Sequence, residues 1–127
     1  MSRLQLELPW PPSINHYWRQ VKIGGAVRTI ISAEGRAYRE RVVPRVQLAM
    51  MQARVRTLPG RLALAILAQP PDRRRRDLDN ILKPLLDALQ QARCYQDDCQ
   101  IDDLHVRRLP PDRPAGSITV TIEEMEW

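Results

Sequence analysis

The stretch that decides the fold is residues 61–92, RLALAILAQPPDRRRRDLDNILKPLLDALQQA. Its first part, residues 61–69, is short, almost wholly apolar and bounded by turn residues, which predicts a buried central strand. Its last part predicts a helix that begins at Asp79 or Asn80 and ends near Ala92, because its apolar residues recur every three or four positions. Pro84 lies about one turn into this helix, where a proline is still tolerated.

The flanking segments predict a small mixed sheet. Residues 3–8 alternate as a half-buried strand, and residues 104–109 and 117–123 predict two further strands. Ser32 is a candidate N-cap for a helix from Ala33 to about Arg54, with a kink or break at Pro44. Residues 13–28 predict a basic, aromatic loop or flexible hairpin. The fold class is therefore α/β (α+β), a mixed sheet packed with two main helices in one domain spanning residues 1–127.

Length and composition exclude several classes of protein. A chain of 127 residues with 43% hydrophobic and 28% charged residues is long enough for one core and too apolar for general disorder. No apolar run could span a bilayer, and the start of the chain does not resemble an export signal, so we expect a cytoplasmic protein with no membrane partner. In that setting Cys94 and Cys99 are predicted to be free thiols.

The charge balance favours a polyanionic partner. Lysine and arginine number 20 and aspartate and glutamate 15, so the net charge is 20 − 15 = +5. Such an excess steers a protein toward nucleic acid, although many basic surfaces serve only solubility.

An arginine run joined to an acid pair follows the predicted central strand. Arg73, Arg74, Arg75 and Arg76 precede Asp77 and Asp79. In an extended chain the two carboxylates would lie on the same side, ~7 Å apart, and could share Mg²⁺, or Mn²⁺ in its place. The alternatives are that Asp79 only caps the following helix and that the arginines form a solvated loop.

A second acidic patch follows that helix and consists of Asp97, Asp98, Asp102 and Asp103. If it folded near the first pair, six carboxylates would meet and would need cations to neutralise them. The alternative is a solvated turn. Carboxylates that hold a metal, beside arginines that hold phosphates, are the groups that phosphodiester cleavage requires. The pattern therefore favours nuclease or polymerase-like chemistry over simple DNA binding.

These residues resemble the RusA-type Holliday junction resolvases, which are largely phage- or prophage-borne endonucleases of bacteria. The resemblance covers most of the chain and is carried by residues 8–13 with Asn15, Tyr17 and Arg19, by residues 32–35 and 37–39, by residues 71–80 with Lys83 and 87–89, and by Asp97, Asp98, Gln100 and Asp103. Pro84 and the segment 93–96 depart from the family pattern.

The resemblance implies a Mg²⁺-dependent homodimer that binds four-way DNA junctions by their shape and nicks two strands symmetrically in recombination and repair. It places the catalytic, metal-binding acids at Asp77, Asp79 and Asp98 and a catalytic lysine at Lys83. It also places a DNA contact at Arg76, and we count Arg73, Arg74, Arg75 and Asn80 with it as DNA-binding residues. The alternatives are a less selective structure-specific nuclease and a non-catalytic DNA-binding protein.

Lys83 is one of only two lysines in a chain that otherwise uses arginine. Its ordinary role would be a weak surface pair with Asp87, four residues later. Because it lies one turn after Asp79, its side chain can instead point back toward the acid pair. We expect it to stabilise the scissile phosphate or the attacking hydroxide.

Overall fold

The structure is a computed structural model that describes residues 3–126, so Met1, Ser2 and Trp127 lie outside the described residues. In chain order its elements are β1 (Arg3–Pro9), α1 (Ile14–Tyr17), β2 (Trp18–Ile23), β3 (Ala26–Ile31), α2 (Ala33–Ala53), β4 (Leu62–Gln69), α3 (Asp79–Gln91), a 3-10 turn (Asp98–Gln100), β5 (Ile101–Arg108) and β6 (Ser117–Glu124). The predicted mixed α+β fold is confirmed.

The main sheet has the strand order β1-β6-β4-β5, so β4 lies inside it as predicted. β4 is antiparallel to β6 and parallel to β5. Alternate residues of β4, from Leu62 to Ala68, are buried, whereas Ala65 and Leu67 between them are exposed. The sheet therefore has one face in the core, and the helices cover that face.

The long helix α2 confirms the predicted start and length. The Ser32 side chain accepts a hydrogen bond from the Gly35 backbone N–H at 2.9 Å, as an N-cap does. Of the predicted kink or break at Pro44, the break is wrong, since α2 is continuous through that residue. Pro44 is exposed, so its ring faces solvent and displaces no core residue.

The helix α3 confirms its prediction within one residue at its end. Ile81, Leu85, Ala88 and Leu89 form its buried side, together with Pro84. Because α3 follows β4 through residues 70–78, its N-terminus lies beside the carboxyl end of the central strand. Open α/β sheets place ligand sites at this edge.

Two segments were predicted only in part. Residues 13–28 were predicted as a loop or flexible hairpin, and the hairpin alternative is confirmed: residues 18–31 form the two-stranded sheet β2–β3, which is separate from the main sheet. The short helix α1 before it was not predicted. β5 begins at Ile101, three residues before the predicted start at Leu104. The sequence did not predict this start because Asp102 and Asp103 follow it, and aspartate has a low strand propensity.

Within the described residues, none of the helices has the length and apolar character that crossing a bilayer requires.

Candidate metal and nucleic-acid site

The loop between β4 and α3 borders an open cleft of about 430 Å³. Trp10 contributes one wall, the loop residues Arg76 and Asp77 another, and Arg108 of β5 closes the side. Arg108 also donates a hydrogen bond at 2.5 Å to the backbone oxygen of Arg76, which fixes the loop to the neighbouring strand. The arginine–aspartate segment therefore lies at the predicted edge of the sheet.

The arginine run divides into one anchored and three exposed side chains. Arg76 donates from Nη1 to Asp72 Oδ1 at 2.6 Å, and its guanidinium lies 6.0 Å from the centre of the Trp10 ring. The hydrogen bonds from the Arg76 side chain and the Arg74 backbone lower the pKa of Asp72 to about 2. Arg76 thus shapes the loop, whereas Arg73, Arg74 and Arg75 are exposed and can meet an anion.

A second cleft of about 410 Å³ adjoins the first and brings in a residue group that the sequence analysis missed. Arg74, Arg75 and Asn80 line it on one side, and Ser13 and His16 of the α1 region line it on the other. The Ser13 backbone oxygen accepts hydrogen bonds from the backbone N–H groups of residues 16 and 17, both at 2.9 Å, which makes a single helical turn. A helix this short has no periodic signal in the sequence.

The two acids of the first pair are not extended. Leu78, between them, has φ −60° and ψ −36°, which is helical backbone, so the predicted extended arrangement of Asp77 and Asp79 is wrong. Side chains two residues apart on helical backbone do not face each other. The capping alternative also fails, because Leu78 occupies the N-cap position and no side chain caps the helix.

The second acidic patch is divided among separate partners. Asp97 accepts from the Cys99 backbone N–H at 2.9 Å, and this hydrogen bond lowers its pKa. Asp102 pairs with Arg61 at 2.5 Å, and the hydrogen bond from that arginine lowers the pKa of Asp102. Each of these two acids therefore already has a hydrogen-bonding partner within the protein.

The remaining two acids of the patch also have basic partners. Asp103 lies 2.9 Å from His105, and Asp98 Oδ2 accepts from Lys83 Nζ at 2.9 Å. The expected cluster of six carboxylates is not formed. Within residues 3–126 no group of three or more acidic, histidine or cysteine side chains is placed to hold a metal ion.

The contact between Lys83 and Asp98 joins two of the predicted site residues. Lys83 is on the first half of α3, and Asp98 opens the 3-10 turn that leads into β5. The backbone N–H of Asp98 also donates to the Gln90 side chain at 3.0 Å, so the turn is held to α3 at two points. The weak surface pair of Lys83 with Asp87 does not form.

Asp87 instead belongs to a network that ties three helices together. Arg39 of α2 donates to Asp87 Oδ2 from Nη2 at 2.7 Å and from Nε at 2.9 Å, and the Tyr17 hydroxyl donates to the same oxygen. Burial raises the pKa of Tyr17, and its hydrogen bond to Asp87 raises it further. This network fixes α1 and α2 against α3 at Asp87, one helical turn after Lys83.

The exposed acids fit Mg²⁺ by donor chemistry. Asp77 and Asp79 are exposed and form no ion pair with any described residue. Mg²⁺ is commonly held by one or two carboxylates together with water and substrate phosphates, rather than by a cage made wholly of protein. A set of three preassembled carboxylates is therefore not required.

Comparison with known proteins agrees with the predicted resemblance. The family model for endodeoxyribonuclease RusA matches residues 9–123. A crossover junction endodeoxyribonuclease RusA of Shigella sonnei is 41% identical over 125 residues, which cover 98% of each chain. The protein of that name from Escherichia coli strain K12 is 40% identical over 125 residues, with the same coverage of 98%. The one from Enterobacteria phage HK97 is 39% identical over 126 residues, 99% of this chain and 98% of the relative.

The family match begins at Pro9, at the end of β1, and runs through the arginine–aspartate loop into β6, so it includes every residue that lines the two clefts. The family resemblance that the sequence motifs carry along most of the chain is confirmed by these similarities. This chain belongs to the RusA family of endodeoxyribonucleases.

Proposed function

We propose that this protein is a Mg²⁺-dependent endonuclease that binds four-way DNA junctions and resolves them by paired, symmetric nicks during recombination and repair. The observation that carries the proposal is the loop of residues 72–79, whose exposed arginines and unpaired acids share one edge of the sheet. Relatives at about 40% identity over 98% of the chain are named crossover junction endodeoxyribonucleases.

The arginines of the loop supply the affinity for the DNA backbone. Arg73, Arg74 and Arg75 project into solvent beside the two clefts and can form charge-assisted hydrogen bonds with phosphates. Asn80 lines the second cleft with two of them and can donate to the same strand. Arg76 acts mainly through the loop, because its guanidinium is already engaged by Asp72.

Asp77, Asp79 and Asp98 are the residues that would hold the metal. When bound, Mg²⁺ supplies a water of lowered pKa and neutralises charge at the leaving oxygen. Asp77 and Asp79 directly follow Arg73–Arg76, which we call the arginine loop. A phosphate bound by these arginines therefore lies next to the two acids. Asp98 is oriented by Lys83, which places a compact positive charge beside one carboxylate of the set.

The protein is expected to act as a homodimer. A four-way junction has two-fold symmetry, and two symmetric nicks call for two active sites related by a two-fold axis. A bacterial or phage origin of the relatives suits an enzyme that acts on DNA in the cytoplasm, at the nucleoid.

Two alternatives differ in what they need from these residues. A non-catalytic DNA-binding protein gains nothing from unpaired acids beside a phosphate clamp, because they repel the backbone. A less selective structure-specific nuclease would use the same residues but would cut flaps and forks as well as junctions.

Conversion of single acids to amides tests the proposal. Asp77→Asn, Asp79→Asn or Asp98→Asn should abolish cleavage of a synthetic junction in Mg²⁺ and leave binding equal or tighter, because each removes a negative charge near DNA. Glu40→Gln, an exposed acid on α2 away from both clefts, is the matched control and should cut normally. An acid-to-amide variant that cuts at the wild-type rate would refute the metal assignment.

A further inference from the structure

The β2–β3 hairpin is an unpaired arm outside the main sheet. Its strands pair only with each other, from Trp18 opposite Ile31 to Ile23 opposite Ala26. All of its strand residues are exposed except Trp18, Val21 and Ile31, which are partly buried. A two-stranded hairpin alone in water is only marginally stable. The large exposed surface of this hairpin therefore suggests that it binds a partner.

The hairpin carries positive charge without any acid. Residues 18–31, WRQVKIGGAVRTII, contain Arg19, Lys22 and Arg28 and no aspartate or glutamate. In the register, Arg19 faces Ile30 and Arg28 faces Val21, so the two arginines are diagonal neighbours on one side of the ribbon, ~7–8 Å apart. None of the three cations forms an ion pair with a described residue.

The hairpin is continuous with the proposed DNA site. α1 passes directly into β2, and its residue His16 lines the second cleft together with Arg74 and Arg75. At the foot of the hairpin, Asn15 of α1 and Arg19 border a further open groove of about 430 Å³. A DNA strand bound by the arginine loop can therefore continue past α1 to the hairpin.

A second copy of this chain is the competing occupant. The tip of the hairpin exposes Ile23 by 55% and Val27 by 60%, which favours contact with an apolar surface. However, two hairpins side by side would bring six cations together with no acid from either hairpin to neutralise them. Charge complementarity therefore favours a polyanion, and a two-stranded ribbon fits the major groove of a duplex.

We propose that the β2–β3 hairpin is a second DNA-binding element that grips the phosphates of a junction arm through Arg19, Lys22 and Arg28. This inference rests on the proposed function. It adds a contact outside the arginine loop, on an element that takes no part in the metal site.

The test is the salt dependence of junction binding in the absence of Mg²⁺. Each lost phosphate contact reduces the slope of log affinity against log salt by about 0.9, so the triple variant Arg19→Gln/Lys22→Gln/Arg28→Gln should lose about 2.7. The matched control is Arg54→Gln/Arg56→Gln/Arg93→Gln, which removes three exposed arginines at the opposite end of α2 and α3 and should leave the slope unchanged. Sedimentation of both variants should match the wild type.

Two results would overturn the inference. An unchanged slope in the hairpin variant would show that the arm does not contact DNA. A changed sedimentation coefficient with an unchanged slope would assign the hairpin to contact between copies of the chain. Cleavage of the same junction by the wild type in Mg²⁺ is scored separately, so a failure of the hairpin contact is distinguishable from a failure of the proposed nuclease.

Discussion

Lys83 and Asp98 form an ion pair between α3 and the 3-10 turn, with 52% and 26% of their side chains exposed. Arginine at position 83 would keep the charge, but its broader planar group would displace the carboxylate and the phosphate that a lysine fits between. Lys83→Arg should therefore bind junctions normally and lose roughly 10²-fold in cleavage rate, the scale found for single electrostatic groups. Single-turnover cleavage measures this, with Arg56→Lys, in the segment that follows α2, as the control. Full activity in Lys83→Arg would show that charge alone suffices.

The choice of partner for Lys83 shows where prediction from the sequence ends. The position of Lys83 one turn after Asp79 followed from helical spacing, and the family resemblance gave Asp98 only as a metal-binding acid, not as a partner of Lys83. Whether Lys83 meets Asp87, four residues away, or Asp98, 15 residues away, depends on how the 3-10 turn folds back on α3. That turn is fixed by Gln100, whose side chain accepts hydrogen bonds from the backbone N–H groups of Gln96 and Asp97. Hydrogen bonds of this kind produce no periodic pattern in the sequence, so the partner of Lys83 could not be predicted from it.

At the scale of elements, the contact of Arg39 with Asp87 joins α2 to α3. The side chains are only 25% and 13% exposed, so loss of the carboxylate leaves a guanidinium that is mostly shielded from water. Asp87→Ala should lower the free energy of unfolding by about 2–3 kcal/mol. Urea unfolding checks this, and Glu40→Ala on the exposed side of α2 should change stability by less than about 0.5 kcal/mol. Equal unfolding midpoints for the two variants would contradict the structural role of the network.

The start of α2 packs against α1 too closely for a side chain at Gly35. A β-carbon there would lie 2.5 Å from the backbone oxygen of Tyr17 and 2.7 Å from Ile31 Cγ1. Glycine to alanine within a helix ordinarily stabilises by up to about 1 kcal/mol, but this overlap should reverse the sign, and Gly35→Ala should cost about 1–3 kcal/mol. Gly60→Ala, where a β-carbon meets nothing within 4 Å, is the control in thermal unfolding. A Gly35→Ala protein as stable as the wild type would refute the close packing.

The elements with strong local signals were predicted well, and those without were not. The apolar run of β4 and the Ser32 cap of α2 gave correct boundaries within one or two residues. The hairpin depends on Gly24 and Gly25, whose φ values of 60° and 83° make a two-residue turn. A pair of glycines is also common in loops, and the strands on either side of the pair lack an alternation of apolar and polar residues. The sequence was therefore compatible with both a loop and a hairpin.

At the scale of the whole molecule, all of the tyrosines are part of the core. The chain has three, Tyr17, Tyr38 and Tyr95, and each is at most 3% exposed. Burial raises the pKa of all three above the ordinary value of 10.0. A raised folded-state pKa stabilises the fold fully below pH 10.0 and progressively less above it, because only the unfolded chain ionises there. Tyrosinate absorbance should therefore appear together with loss of the circular dichroism signal. Smooth ionisation in the folded protein near pH 10.0 would contradict the burial.

Resolution of a four-way junction requires the whole molecule. The most direct measurement is to incubate the protein with a synthetic junction and Mg²⁺, with each of the four strands labelled in turn, and to size the products. We predict nicks at symmetric positions in two strands of like polarity, no cutting of linear duplex of the same sequence, and no products when Mg²⁺ is chelated. Binding of the junction with all four strands left intact in Mg²⁺ would contradict it and would leave the arginine loop as the site of a non-catalytic DNA-binding protein.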